Sequence, residues 1–202
     1  MPVFYDNADS GNGYKIRLLL AWLKLPHERV EIDTYAGESR TADYLARNPN
    51  GKIPTLALDD GSFVSESGAI LFHLAQGTPF WPGERRAQTE VLQWMFFEQY
   101  SHEPNIAVLR SWSRHGSMTD ERRTLWAGKE AEGYRVLGIM EDHLSDRDYV
   151  VGTAITIADI ALFAYTCVAG QGGFDMSRFP AIGRWIDRIE ALPGFIPFDR
   201  ID

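Results

Sequence analysis

Residues 48–54, Asn-Pro-Asn-Gly-Lys-Ile-Pro, and residues 56–67, Leu-Ala-Leu-Asp-Asp-Gly-Ser-Phe-Val-Ser-Glu-Ser, are the most informative part of this chain. The first segment combines a turn with a proline that enters a strand, and Asp-Asp-Gly at 59–61 indicates a hairpin between two short strands. A polar Ser-Glu-Ser step at 65–67 then opens a helix. Few folds require these four features in this order, so the stretch strongly constrains the N-terminal architecture.

Strands and helices alternate around this stretch. Short apolar or alternating runs predict strands, and apolar residues at helical spacing from 16 to 23 predict a helix with Lys15 off its apolar face. The expected strands cover 3–5, 30–32, 55–58 and 62–64, and the expected helices cover 16–23, 41–47 and 68–76. The order is therefore β-α-β-(α)-β-β-α over the first ~80 residues, an α/β arrangement.

The character of the chain changes after residue 76. Residues 77–83, Gly-Thr-Pro-Phe-Trp-Pro-Gly, carry two prolines and two glycines and are typical of a linker. Beyond them only helical periodicity is convincing, with Pro104 expected to kink or break the first long helix. We therefore predict an N-terminal domain over 1–77, a linker over 78–83 and an all-helical domain over 84–202. Its expected helices cover 84–113, 119–144, 156–168 and 182–192.

One helix start is unusually well specified. Thr156 provides an N-cap hydroxyl and Asp159 a carboxylate three residues later, which is a capping box with Asp in the Glu position. Ile155 and Ile160 lie where a hydrophobic staple is expected. We interpret Asp159 as a structural cap of a buried helix rather than as a catalytic group.

Composition limits the classes of function. The chain has 202 residues, a net charge of -8 and a pI near 5.1, which argues against a nucleic-acid partner because phosphate binding requires clustered Lys and Arg. Cys167 is the single cysteine, so no internal disulfide is possible, and a reducing compartment is expected. No apolar run is long enough for a signal segment or a membrane span, which predicts a cytoplasmic location. His102 and His115 show no metal-ligand spacing.

The step from strand to helix at Glu66 and Ser67 is a candidate anion site. Unpaired N–H groups at a helix start favour a carboxylate, which could accept from the Ser67 amide and hydroxyl, while Glu66 balances a ligand ammonium. Lys52 is a candidate cation for a second carboxylate. The alternative is structural: Ser65 or Ser67 caps the helix, Glu66 favours its dipole and Lys52 is a solvated turn residue.

Two further features bear on chemistry. If the Ile53–Pro54 bond is cis, the Ile53 N–H and C=O can turn outward and pair with an extended ligand as an added strand would; a trans proline at a strand edge is the alternative.

Ser10, in the loop before the first helix, carries a hydroxyl that can donate to a bound thiolate and lower the thiol pKa. Otherwise Ser10 simply caps that helix.

Taken together, these features resemble the cytosolic glutathione transferase family, in particular its bacterial serine-type, theta-like members. The resemblance covers nearly the whole chain. The motifs that carry it are Ser10 with Lys15-Ile16-Arg17, Asn48-Pro49 with Gly51-Lys52-Ile53-Pro54, Glu66-Ser67-Gly68-Ala69-Ile70 and Thr156-Ile157-Ala158-Asp159. The resemblance implies a thioredoxin-like N-terminal domain with a C-terminal helical bundle, and glutathione as co-substrate.

The resemblance also implies where glutathione binds. The Ile53 backbone pairs with the cysteinyl part ahead of a cis Pro54, Glu66 and Ser67 hold the γ-glutamyl end, and Lys52 meets the glycyl carboxylate.

Arg40 is expected near that carboxylate. Ser10 stabilises the thiolate, and Asn12 is the rival for this role because related bacterial members place the working polar group later in the loop. Gly13 stands where many relatives have a cysteine or another side chain, so a redox mechanism through a protein thiol is not expected.

The implied reaction adds the glutathione thiolate to a small hydrophobic electrophile in a detoxifying transferase that forms a homodimer. The electrophile site is expected between the domains, with Trp94, Phe97, Tyr100, Trp112 and Trp126 as apolar candidates. Two alternatives remain: a non-catalytic binding or assembly module, and a glutathione-dependent isomerase or reductase of the same family.

Overall fold

The computed structural model describes residues 1–200. Contacts divide the chain into two compact units: the first comprises Met1–Thr78 with the tail from Pro193 onward, and the second comprises Pro79–Leu192. The tail groups with the first unit, although the sequence assigned it to the helical domain. The reason is local: the Tyr14 hydroxyl donates to the Ile196 carbonyl over 2.7 Å, and Arg17 donates to the Phe198 carbonyl over 3.3 Å.

The first unit is a four-stranded mixed sheet with helices, a thioredoxin-like arrangement. Its elements are β1 (Val3–Asp6), α1 (Gly11–Leu23), β2 (Glu28–Glu31), α2 (Ala42–Arg47), β3 (Thr55–Ala57), β4 (Phe63–Ser65) and α3 (Ser67–Ala75). The strand order is β2-β1-β3-β4, with β1 parallel to β2 and antiparallel to β3. The predicted element order is confirmed.

Apolar residues of β1, α1, β3 and α3 form the core of this unit. Phe4 and Leu56 are paired on the neighbouring strands β1 and β3, and both are buried. Helix α1 packs against α3. Helix α1 is buried over most of its length because it contacts both the sheet and α3. Its N-terminus follows the loop that carries Ser10.

The second unit is helical throughout. Its helices are α4 (Arg85–Phe97), α5 (Glu103–Arg114), α6 (Asp120–Leu144), α7 (Ile157–Thr166) and α8 (Pro180–Glu190). Pro104 was predicted to kink or break the first long helix. The structure has a π-helical turn over Glu98–His102 between α4 and α5, and Pro104 lies in the first turn of α5, where its missing N–H is tolerated. Among residues 1–200, no helix is both long and apolar enough to cross a bilayer.

The predicted capping box is present at the start of α7. The Thr156 hydroxyl accepts from the backbone of the first turn, and Asp159 Oδ2 accepts from the Thr156 amide over 2.9 Å. Asp159 Oδ1 also accepts from the Val150 amide and from Trp185 Nε1. The carboxylate is fully buried, so it joins a loop, α7 and α8 at a single point.

Candidate active site

The first unit gathers its polar groups where three loops meet, before α1, before β3 and before α3. Glu66 precedes α3 with φ 69° and ψ 120°, a left-handed conformation that a non-glycine residue adopts only when its surroundings impose it. Ser67 is the first residue of α3, so its N–H has no acceptor within the helix. This helix start is therefore suited to an anion.

The Ser67 hydroxyl points to the first turn of α1. It donates to Asn12 Oδ1 over 3.0 Å, and Lys15 Nζ donates to the same oxygen over 2.8 Å. An ammonium can only donate, so the atom facing it must be the amide oxygen. The Asn12 amide is thereby oriented with its NH2 donors directed away from Lys15 and Ser67.

Ser10 has the structural role that the sequence left open. It is the N-cap of α1, and its Oγ accepts from the Gly13 amide over 3.0 Å. Of the two thiolate candidates, Asn12 is the one hydrogen-bonded to Ser67. Ser10 lies in the same loop but is engaged with its own helix.

The loop before β3 is fixed by side-chain hydrogen bonds to its backbone. The Asn48 amide and the Tyr44 hydroxyl both donate to the Lys52 carbonyl over 2.7 Å, which fixes the backbone where it enters Ile53. The Ile53–Pro54 peptide is cis, as the resemblance implies. The Lys52 side chain itself is exposed.

Arg40 and Asn50 complete this edge of the site. Arg40 Nη1 donates to the Asn50 carbonyl over 3.0 Å, and Asn50 Nδ2 lies 3.4 Å from Glu66 Oε1. Gly51 has φ +62°, and a Cβ there would lie 2.6 Å from Arg40 Nη1, so the position requires glycine. Arg40 and Lys52 thus bring two cations to one loop.

The structure links two pairs of the predicted site residues, one directly and one through Asn50. Ser67 joins Asn12, while Glu66 reaches Arg40 by way of Asn50.

Sequence reasoning missed Asn50 and Lys15. Lys15 was placed off the apolar face of its helix, but the structure leaves it only 1% exposed. The one available signal was its position three residues after Asn12, which is one helical turn.

A buried ion network lies beneath the loop before α1. Asp6 Oδ2 accepts from Arg17 Nη1 over 2.5 Å and from Arg29 Nε over 3.0 Å. Burial raises the pKa of Asp6, while the two guanidinium groups act in the opposite direction. The same Arg17 donates to the carbonyls of Asn7 and Ala8, so it holds the start of the loop.

The aromatic candidates for the electrophile fall into separate groups in the second unit. The Trp94 ring lies against that of His143 in a tilted arrangement, with ring centroids 4.6 Å apart, and contacts Phe97 edge-on. Both line a cavity of about 450 Å³ between α4 and α6. Trp112 pairs with Trp126, and Tyr100 is 87% exposed on the π-helical turn.

Cys167 offers no reactive thiol. Burial raises its pKa to about 12, so the thiol is protonated at neutral pH. Within residues 1–200, no cluster of three or more His, Cys, Asp or Glu has the arrangement of a metal site.

Two family models match the chain. The model of the glutathione S-transferase N-terminal domain matches residues 10–76, and that of the C-terminal domain matches residues 105–193. The chain belongs to the glutathione S-transferase family. The resemblance read from the motifs is thereby confirmed.

Solved structures of transferases and Ure2p share this fold. A glutathione S-transferase from Pseudomonas fluorescens Pf-5 is 48% identical with a TM-score of 0.95 over 98% of each chain. A glutathione transferase from Burkholderia graminis, with two glutathione molecules bound per subunit, is 26% identical with a TM-score of 0.84 over 96% of this chain and 85% of that one. Ure2p in complex with glutathione is 25% identical with a TM-score of 0.86, over 96% and 90%.

Relatives of different activities also match by sequence. The disulfide-bond oxidoreductase YfcG of Escherichia coli K12 is 28% identical over 92% of this chain and 89% of its own length. The transcriptional regulator URE2 of Saccharomyces cerevisiae is 26% identical; the match covers 95% of this chain and 66% of the length of URE2. Membership of the family is thus compatible with transfer, redox and regulatory roles.

Proposed function

We propose that this member of the glutathione S-transferase family binds glutathione on its first unit and transfers the thiolate to small hydrophobic electrophiles. The observation that carries the proposal is the pairing of Ser67 with Asn12, because it places a candidate carboxylate site beside a candidate thiolate donor. Glutathione-bound relatives with the same fold support the choice of ligand.

Each end of the tripeptide has complementary groups. The Ser67 N–H, which has no acceptor within α3, donates to the γ-glutamyl carboxylate, while Glu66 pairs with the ammonium. The Ile53 backbone, just before β3, pairs with the cysteinyl part as an added strand does. Lys52 and Arg40 attract the glycyl carboxylate.

The chemistry is stabilisation of an anion. An N–H donor aimed at sulfur favours the thiolate and so lowers the pKa of the bound thiol, whose proton is released to solvent. The thiolate then attacks the electrophilic carbon, and with an aryl chloride the new C–S bond replaces the C–Cl bond and chloride leaves. Asn12 is the preferred donor because its orientation is set by two hydrogen bonds to its oxygen. Ser10 remains the alternative donor, since a capping hydroxyl that accepts one hydrogen bond retains a proton to donate.

Replacing Asn12 tests the assignment. We expect Asn12→Ala to lower kcat/KM for an activated aryl chloride by about 10²-fold, the effect of removing one donor from a developing or bound anion. Calorimetry with S-methylglutathione, which has no thiol, should show nearly unchanged binding.

Ser10→Ala is the matched control in the same loop. We expect it to lower the free energy of unfolding by about 1 kcal/mol through the lost cap, with little change in rate. A large rate loss in Ser10→Ala with a small one in Asn12→Ala would assign the thiolate to Ser10 instead.

A reductase acting on glutathione disulfides is the second candidate, and the similarity to YfcG favours it. With Cys167 held as a thiol, both sulfur atoms exchanged would have to come from the substrates. A non-catalytic module, favoured by the similarity to URE2, would bind glutathione without turnover. Assays with aryl chlorides and with a mixed glutathione disulfide separate the three.

We further propose that the protein is a homodimer in the cytoplasm and that glutathione is held by the first unit. One chain has a mass of 22.8 kDa, and light scattering on the purified protein should give about twice that value. A monomer that turns over glutathione at full rate would contradict the assembly but not the chemistry.

A further inference from the structure

Lys15 is an unusual residue to find beneath a candidate active site. Its side chain is 1% exposed, and lysine is almost never fully buried because removing an ammonium from water is costly. Its Nζ donates to Asn12 Oδ1 over 2.8 Å.

We propose that Lys15 is a positioning residue for glutathione transfer: its ammonium orients and polarises the Asn12 amide, so that Asn12 donates a stronger hydrogen bond to the thiolate. The proposal rests on the proposed function, because it requires glutathione in the site. It goes beyond that function by assigning a role to a residue that has no direct part in binding.

The first argument is orientation. An asparagine amide can rotate by half a turn and present either its oxygen or its NH2 to a ligand. Lys15 and Ser67 both donate to the oxygen, so the oxygen is kept turned toward α1 and α3. A thiolate on the other side of the amide then meets N–H donors and not a repelling oxygen.

The second argument is polarisation. A cation bonded to an amide oxygen draws electron density from the nitrogen, and hydrogen bonds in such a chain strengthen one another. Lys15 is buried, so solvent does not screen its field as it screens a surface charge. Only the Asn12 side-chain amide lies between the Lys15 ammonium and the NH2 group that donates to sulfur.

Three carboxylates lie in or beside this loop: Asp9 in the loop itself, Asp6 at the end of β1 and Glu66 before α3. Asp6 is bound by Arg17 and Arg29, with its second oxygen against Gly13. Glu66 is exposed and lies beside Asn50. All three carboxylates are kept in a Lys15 variant, and the double variant with Asn12→Ala decides whether a change in thiol ionisation passes through Asn12.

The test measures the pKa of the thiol of bound glutathione by following the ultraviolet absorbance of the thiolate as the pH is varied. We expect Lys15→Met to raise that pKa by on the order of one unit, the size of a shift from one nearby opposite charge. Lys15→Arg, which keeps the charge and the donor, should restore most of the effect. Lys15→Gln serves as a second neutral variant if Lys15→Met does not fold.

The double variant Lys15→Met with Asn12→Ala distinguishes polarisation from a direct field. If Lys15 acts through Asn12, the Lys15→Met change adds little once Asn12 is gone. A shift of the same size in both backgrounds would overturn the proposal, as would folded Lys15→Met or Lys15→Gln proteins with a wild-type thiol pKa. S-Methylglutathione affinity should stay near the wild-type value, whereas a merely structural role would change that affinity and leave the thiol pKa alone.

Failure of the proposed function has a different signature. If the wild-type protein takes up no glutathione, both proposals fail. If it binds glutathione and lowers the thiol pKa, but the neutral Lys15 variants do so equally well, only the role of Lys15 is lost.

Discussion

Asp159→Ala is expected to lower the free energy of unfolding by about 4 kcal/mol, because it leaves several buried donors without an acceptor. The lost acceptor serves the amides of Val150 and Thr156, the Thr156 hydroxyl and Trp185 Nε1, at distances of 2.9 to 3.0 Å. The side chain is fully buried, so water cannot replace it without opening the structure. Urea unfolding followed by circular dichroism and tryptophan fluorescence measures the loss.

Thr119→Ala is the control for an ordinary helix cap. Thr119 caps α6 with a single exposed hydrogen bond, from the Arg122 amide over 3.2 Å. We expect its loss to cost about 1 kcal/mol. An equal loss in the two variants would show that Asp159 does no more than cap its own helix.

Asp159→Asn refines the interpretation. Each Asp159 oxygen faces two donors, so the asparagine NH2 must point at donors in either orientation. We expect a loss nearly as large as that of Asp159→Ala. A near-neutral Asp159→Asn would contradict the requirement for two acceptor oxygens.

Gly13→Ala is expected to be the most damaging change in the first unit, lowering the free energy of unfolding by about 3 kcal/mol through overpacking and disruption of a buried ion pair. An added Cβ would lie 1.6 Å from Asp6 Oδ1 and 2.7 Å from its Cγ. Asp6 cannot yield easily, because Arg17 and Arg29 hold its other oxygen. The loop would have to move instead, so glutathione binding should weaken as well.

Gly138→Ala is the matched glycine control. Gly138 lies inside α6, and a Cβ there meets nothing within 4 Å. Alanine should therefore stabilise the helix, by up to about 1 kcal/mol. Thermal unfolding of both variants and calorimetry with glutathione measure the contrast.

A double-mutant cycle tests the cause. Asp6→Ala removes the carboxylate that collides with the new methyl group, so the penalty of Gly13→Ala should be much smaller in that background. An undiminished penalty would mean that something other than Asp6 excludes a side chain at position 13.

The secondary structure was largely predictable because its signals are local. Helical and alternating patterns placed the strands and helices to within a few residues, and the Thr156–Asp159 spacing identified the capping box found at α7. The tail from Pro193 was the exception. Its place beside α1 depends on contacts with Tyr14 and Arg17, which are distant in sequence.

The candidate site was predictable only in part. The loops that carry Glu66, Ser67 and Lys52 have turn and capping signatures, so their positions at element ends followed from the chain. The pairing of Ser67 with Asn12 joins residues 55 positions apart, and no local pattern encodes such a contact. For the same reason the sequence favoured Ser10 as the thiolate donor and offered Asn12 only as its rival.

The amino-acid sequence by itself determined the order of the elements, the capping box of Thr156 and Asp159 and the family, since periodicity, caps and motifs act over a few residues. Only the tertiary structure decided that Lys15 is buried against Asn12 and that Gly13 has no room for a side chain. Both outcomes depend on which side chains the packing of β1, α1 and α3 brings within a few ångströms of each other. A linear pattern does not contain that information, because burial and collision are properties of the folded volume.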